Sequence, residues 1–257
     1  MASIYFTGDI HGDPIRLANE KFPDNKKMRD GQDNNFVIIC GDFGLIWDSP
    51  CESKSERFYL NWLEERNFTT LFVSGNHENF DRLNSTEYPI EEWNGGLVQK
   101  IRPHVIHLRR GEIYDILGKK IFAFGGARSH DIRDGILDPI EDKELIKEWR
   151  NSYYKMFRVN HVSWWKEEMA SQEEMEYGIQ NLARHNNKVD YIVTHCAPQQ
   201  VCYMLSLGSY ESDPMTMYFD KIAQTTQFEH WFCGHYHCNE RVMMKFDVLY
   251  ENIMRVF

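Results

Sequence analysis

The chain has 257 residues, 42% hydrophobic and 26% charged, with a formal net charge of −10. That balance belongs to an ordinary globular protein with room for one large domain or two small ones; it excludes a disordered chain, and the lack of any apolar run of 18 residues excludes a transmembrane helix. The acidic balance disfavours tight, sequence-independent binding to duplex nucleic acid but leaves phosphate substrates open, because cations in a cleft reverse the local sign.

Residues 3–7 form a short β-rich run that leads into Gly8-Asp9-Ile10-His11-Gly12. The first six residues lack a basic region, so no signal peptide is expected there. Residues 14–19 read as a short helix and residues 24–35 as a polar surface loop. Residues 36–40 (Phe-Val-Ile-Ile-Cys) are a buried strand ending at Gly41-Asp42-Phe43-Gly44. The spacing of Phe58, Tyr59, Trp62 and Leu63 predicts a helix over 56–67. Residues 70–74 form the next strand, followed by Gly75-Asn76-His77-Glu78. Strand and helix alternating in this order argue for parallel βαβ units with the helices outside.

The middle of the chain changes character. Residues 105–108, 112–117 and 120–124 read as adjacent strands in antiparallel hairpins, turning at Gly111 and Gly118 and ending at Gly125-Gly126. Residues 128–188 show no clear strand and are rich in charge, Trp and Met. Ser171-Gln172-Glu173-Glu174 is a capping-box signature for a helix running to about residue 184. The whole chain is read as one domain, 1–257, with a mostly helical insertion at about 127–188. Residues 189–193 are another strand, followed by Thr194-His195. Residues 230–233 lead to Gly234-His235-Tyr236-His237, and residues 241–257 read as two further strands. The six cysteines include no CxxC pair. Buried, reduced thiols and a cytoplasmic location are therefore expected.

Five segments thus combine glycine or a strand end with a metal-loving side chain. Each is weak alone. Asp9 and His11, two apart, point the same way in extended backbone and can share an ion, but they also suit a polar turn. Asp42 offers two oxygens that can bridge cations, and it also suits a turn. Asn76 and His77 fit a ligand and an acid, or a surface turn. His195 alone reads as a core histidine. His235 and His237 form an HxH pair at a strand end, the firmest single signal.

Taken together, the order and strand-end placement of DxH, GD, GNHE, a lone His and GHxH resemble the calcineurin-like metallophosphoesterase family. The resemblance covers residues 3–78 and 189–257. It implies a four-layer α/β/β/α sandwich, two mixed sheets back to back with helices outside. It further implies that Asp9, His11 and His237 hold one ion, that Asn76, His195 and His235 hold a second, and that Asp42 bridges them. His77 would face the leaving group. The mixed nitrogen and oxygen donors suit Mn²⁺, Fe or Zn²⁺ better than Ca²⁺; Mn²⁺ is the ion expected, with Fe or Zn²⁺ as alternatives.

The expected activity is hydrolysis of a phosphate mono- or diester. A hydroxide generated between two ions would attack phosphorus, and His77 would protonate the departing oxygen. A small or nucleotide-like substrate is favoured. A nuclease for short single strands and a non-catalytic scaffold on the same fold are the alternatives. In the protein phosphatases of the family, the second motif continues to an Asp-Arg pair and an arginine precedes the third. Here Leu45, Ile46 and Ser74 stand at those positions, which disfavours a protein phosphatase and leaves His77 without its usual partner; Asp48 is a candidate for that role. Arg128 and His130, after Gly125-Gly126, are candidates to touch a substrate phosphate, or simply part of a solvated loop. Trp164-Trp165 either stack on a base or pin the insertion. Residues 167–176 read as a solvated acidic helix face.

Overall fold

The computed structural model describes residues 2–18, 20–22 and 35–256. The polar stretch 24–34 lies outside these residues. Fifteen strands are described: β1 Ile4–Thr7, β2 Asn35–Ile39, β3 Phe68–Phe72, β4 Ile90–Trp93, β5 Gly96–Arg102, β6 Val105–Leu108, β7 Glu112–Ile116, β8 Lys119–Phe124, β9 Gly135–Leu137, β10 Phe157–Val159, β11 Tyr191–Thr194, β12 His230–Cys233, β13 Glu240–Val242, β14 Phe246–Val248 and β15 Ile253–Arg255. The α-helices are α1 Lys54–Glu64, α2 Phe80–Leu83, α3 Lys143–Trp149, α4 Gln172–Arg184, α5 Gln199–Ser206 and α6 Pro214–Thr225. Pro14–Leu17 is a 3-10 turn capped by the Asp13 side chain.

Two mixed sheets carry the fold. One runs β15-β1-β2-β3-β6-β5-β4, the other β13-β14-β12-β11-β8-β7. Strand alternation sorts the side chains into three layers of core. Ile4, Phe6, Ile38 and Leu71 of the first sheet face Ile121, Val193 and Phe232 of the second. Phe6 stacks on Phe232 with ring centroids 3.9 Å apart. The opposite face of the first sheet, with Tyr5, Val37, Ile39 and Phe72, packs under Leu60 and Leu63 of α1. The outer face of the second, with Phe122, Ile192 and Trp231, packs under Leu182 of α4, Val201 of α5 and Phe219 of α6. Helix, sheet, sheet and helix make the expected four layers. Each fully buried large side chain contributes roughly 1.5–3 kcal/mol, so the three clusters far outweigh any single polar contact.

The stacking also sets the position of the chain's chemistry. β1, β2 and β3 are parallel neighbours in one sheet, and β11 and β12 are parallel neighbours in the other. Their C-terminal ends carry all five motif segments, where sheets of this kind gather ligands.

Several expectations need correction. Helix α1 is three residues shorter at its end than the predicted 56–67, and Phe58 on it is 63% exposed while Leu60 is buried. β6 and β7 do not form a hairpin: β6 pairs with β3 and β5, whereas β7 pairs with β8 in the other sheet. The hairpin β4–β5 and the helices α5 and α6 had no counterpart in the sequence reading. The C-terminal stretch holds three short strands, the last of which crosses back to pair with β1. Residues 127–188 are not mostly helical. They contain the parallel pair β9–β10, with α3 between its strands, and long loops. α4 has the predicted capping box at Ser171 but lies on the second sheet as part of its outer layer.

Candidate metal centre

Asp9 and Asp42 are almost fully buried at the mouth between the sheets. His195, at the end of β11, is fully buried beside them. Its Nδ1 lies 2.8 Å from the Cys40 carbonyl oxygen. A carbonyl only accepts, so Nδ1 carries the hydrogen and Nε2 is turned to the site. There it meets Asn76 Oδ1 at 3.2 Å and Asp42 Oδ1 at 3.2 Å. Two oxygens converging on one ring nitrogen call for a cation, either a proton or a metal. Burial opposes a charge on His195, but Asp42 and Asp9 overcome it and raise its pKa to about 10. Burial likewise opposes ionisation of Asp42, yet His195, His77 and His11 hold its carboxyl well below the usual range.

On the other side, His237 Nε2 lies 3.3 Å from Asp9 Oδ2 and 3.1 Å from His11 Nε2. The Asp9 carboxylate raises the His237 pKa, and burial lowers that of His11. Burial, aided by His195, lowers that of His235 well below the ordinary value. The His235 ring sits 4.9 Å from the His195 ring, and its backbone N–H donates to Asp9 Oδ1 at 3.0 Å. Among the described residues, three groups have donor atoms within 4.8 Å of one another: Asp9, His11 and His237; His11, Asp42 and His77; and Asp9, Asp42 and His195. The first is the set expected for one ion. The third cuts across the expected division, because His195 approaches both carboxylates. Nitrogen and carboxylate oxygen in this mixture fit a borderline divalent ion, so the residues present suit the metal that the sequence implies.

The backbone is strained to achieve this. His11, Asp42, His235 and His237 adopt left-handed φ values of 46°, 45°, 69° and 48°. Such values are uncommon for residues other than glycine and persist only where surrounding structure enforces them. Two motif glycines explain the close approach. A Cβ on Gly75 would lie 2.0 Å from Asp42 Oδ1, and one on Gly234 would lie 2.0 Å from Asp9 Oδ1. Glu78 ties the second and third motifs together, since its buried carboxylate accepts from Phe43 N and Gly75 N at 2.7 Å each. Burial and the nearby Asp42 charge push its pKa up to about 8.

His77 is half-buried. Its backbone N–H donates to Asp42 Oδ1 at 2.8 Å, and its ring stacks on Trp47 at 5.7 Å. Its Nε2 lies 4.0 Å from Asp42 Oδ2 and 3.3 Å from Arg158 Nη2. Burial lowers its pKa; Asp42 acts against this and Arg158 with it. Asp48 does not orient His77. It is exposed, and its backbone carbonyl instead receives Arg82 Nη1 at 2.9 Å. Leu45 and Ile46 are buried in the core beneath α1, so no polar partner could come from them.

Arg128 and His130 are exposed and stand beside the carboxylate cluster rather than in it. They line a cavity of about 640 Å³ together with His235, His237 and Tyr210. The His130 ring is 5.0 Å from that of His235. Ser129 between them is buried; it receives Asn76 Nδ2 at 3.3 Å and donates its hydroxyl to Glu168 Oε2 at 2.6 Å. Glu168 is therefore not part of a solvated face. Trp165 pins its segment to the main body, donating Nε1 to Asp81 Oδ2 at 2.7 Å and meeting Trp47 edge-on. Of these missed residues only Glu78 stood inside a motif; Arg158, Glu168 and Asp81 carried no local signal.

The geometry agrees with the comparison to known families. A model of the calcineurin-like phosphoesterases matches residues 2–239, and the chain belongs to that family. Its members are metal-dependent phosphoric ester hydrolases, and that is the class of this enzyme. A search among curated proteins finds no match.

Proposed function

We propose that this enzyme hydrolyses a phosphate mono- or diester of a small or nucleotide-like substrate at a two-metal centre. Asp9, His11 and His237 would hold one ion, Asn76, His195 and His235 the other, with Asp42 shared. Mn²⁺ is the proposed ion, with Fe or Zn²⁺ next; the donors favour any of these over Ca²⁺. The observation that carries this reading is the convergence of five strand-end loops on two buried carboxylates, with donor atoms within 4.8 Å. When bound, the ions supply Lewis-acid stabilisation of phosphoryl charge and acidify a water.

The chain's own residues do the rest. The Cys40 carbonyl fixes His195 with Nε2 facing inward. The His235 N–H orients the Asp9 carboxylate. His77 presents Nε2 at the edge of the cluster, from where a proton can pass to the departing oxygen. Arg128 and His130 line a cavity of nucleotide size, which supports a small substrate. Six unpaired cysteines support a reducing, cytoplasmic setting.

The test is metal analysis followed by a Mn²⁺-supplemented panel of aryl phosphate mono- and diesters, nucleotides, cyclic nucleotides, dinucleoside polyphosphates and short oligonucleotides. Metal-dependent turnover of a small ester is the expected result. Cleavage of oligonucleotides alone would put a nuclease in its place, and bound metal with no turnover would make the protein a scaffold.

A further inference from the structure

Arg158 enters the centre from a segment that no motif marks, and we infer that its guanidinium grips a phosphoryl oxygen of the substrate. The inference rests on the phosphoesterase reading above. Arg158 Nη2 lies 3.3 Å from His77 Nε2, at the rim of the carboxylate and histidine cluster. Its side chain is 14% exposed, enough for one edge to reach a ligand. Asp131 anchors it, with Oδ2 at 2.6 Å from Nη2 and 2.8 Å from Nε, which leaves the second Nη2 hydrogen for the His77 side. The Ser163 carbonyl takes Nη1 at 3.2 Å.

A guanidinium has only donors, and His77 offers it one neutral lone pair. A phosphoryl oxygen is a far stronger acceptor and is the group that a planar, permanently charged fork binds best. Two other arginines near the site are turned away to backbone carbonyls. Arg16 donates to the Asp9 and Tyr250 carbonyls, and Arg110 to the Gly125, Glu167 and Glu168 carbonyls. Arg128 lies in the cavity on the His235 side rather than at His77.

The experiment uses the metal-loaded enzyme and inorganic phosphate, with binding measured by calorimetry and turnover measured on an aryl phosphate. Arg158→Ala weakens phosphate binding and raises KM by about ten- to a hundredfold, the worth of a charged hydrogen bond, with metal content unchanged. Free guanidinium ion added to Arg158→Ala restores part of the binding, and Arg158→Lys, which keeps the charge, falls between. Phosphate affinity equal to wild type in Arg158→Ala, or an effect on kcat alone without rescue, overturns the inference. Direct phosphate binding remains readable if no ester is turned over, so a failure of the phosphoesterase reading is recognised separately.

Discussion

The strand-end loops and the 127–171 segment meet at the same centre but are held by different forces. The loops grow from β1, β2, β3, β11 and β12, whose side chains lie in three large buried clusters. The segment's own cluster is small, Leu137, Ile146 and Val159, and it joins the main core mainly through Trp165 and, at its start, Ala127. It leaves Ile140, Tyr153 and Tyr154 more than four-fifths exposed. It reaches the centre through individual polar contacts, Ser129 to Asn76, Arg158 to His77 and Trp165 to Asp81. The residues proposed to hold metal therefore sit on the heavily packed frame, and the segment beside them, with less buried apolar surface of its own, is expected to open at lower free energy.

Substitutions on the frame side should have the largest effects. Asp42→Ala removes the carboxylate that His11, His77 and His195 all face. It should lose bound metal and fall to background turnover, read by metal analysis beside an ester assay. His77→Ala should keep its metal and lose on the order of 10²–10⁴-fold in turnover, the range for a general acid. Turnover at the wild-type level in that variant would refute the acid role.

The same contrast explains what could be read in advance. Buried parallel strands such as β2 are continuous apolar runs, and a glycine with Asp, Asn or His after them is visible one residue at a time. The convergence of these residues was legible because each is set by the strand immediately before it. The exposed edge strand β4, Ile-Glu-Glu-Trp, has no apolar pattern to betray it. Arg158 and Trp165 meet partners 81 and 84 residues away, and no local rule encodes such contacts. The β6–β7 misreading has the same origin. Two strands joined by a short turn look like a hairpin, but here the turn carries the chain from one sheet to the other.

If the frame residues hold metal as proposed, proton and metal compete there and the centre should be sensitive to pH. His195 has its pKa raised to about 10 from an ordinary value of 6.5, and that of His237 is raised as well. In metal-free protein, the stabilising His195–Asp42 pairing is fully present below about 6.5 and is lost as pH rises through about 10. Metal affinity runs the opposite way, because at least one proton must leave as the ion enters. Between pH 6 and 8 it should rise about tenfold per pH unit for each proton displaced. Titration with Mn²⁺ at several pH values checks this, and a flat dependence would mean that the ion displaces no proton from His195.

The smallest effect belongs to the anchor of the segment. Asp81 accepts from Trp165 Nε1 and faces His161 Nδ1 at 2.9 Å, and Trp165 in turn supports Trp47 behind His77. The Asp81 side chain is about half exposed, so its contact with His161 is worth little on its own. The Trp165 bond is worth about 1 kcal/mol, enough to shift the local opening of 157–165 by roughly fivefold. Asp81→Ala should therefore leave metal content and global stability almost unchanged and lower kcat/KM only a few-fold. Faster amide exchange should be confined to 157–165, because the strands under the metal-facing loops do not rely on that contact. Exchange that spread instead into β2 and β3 would show that segment and frame open as one unit, and the division drawn between them would fail.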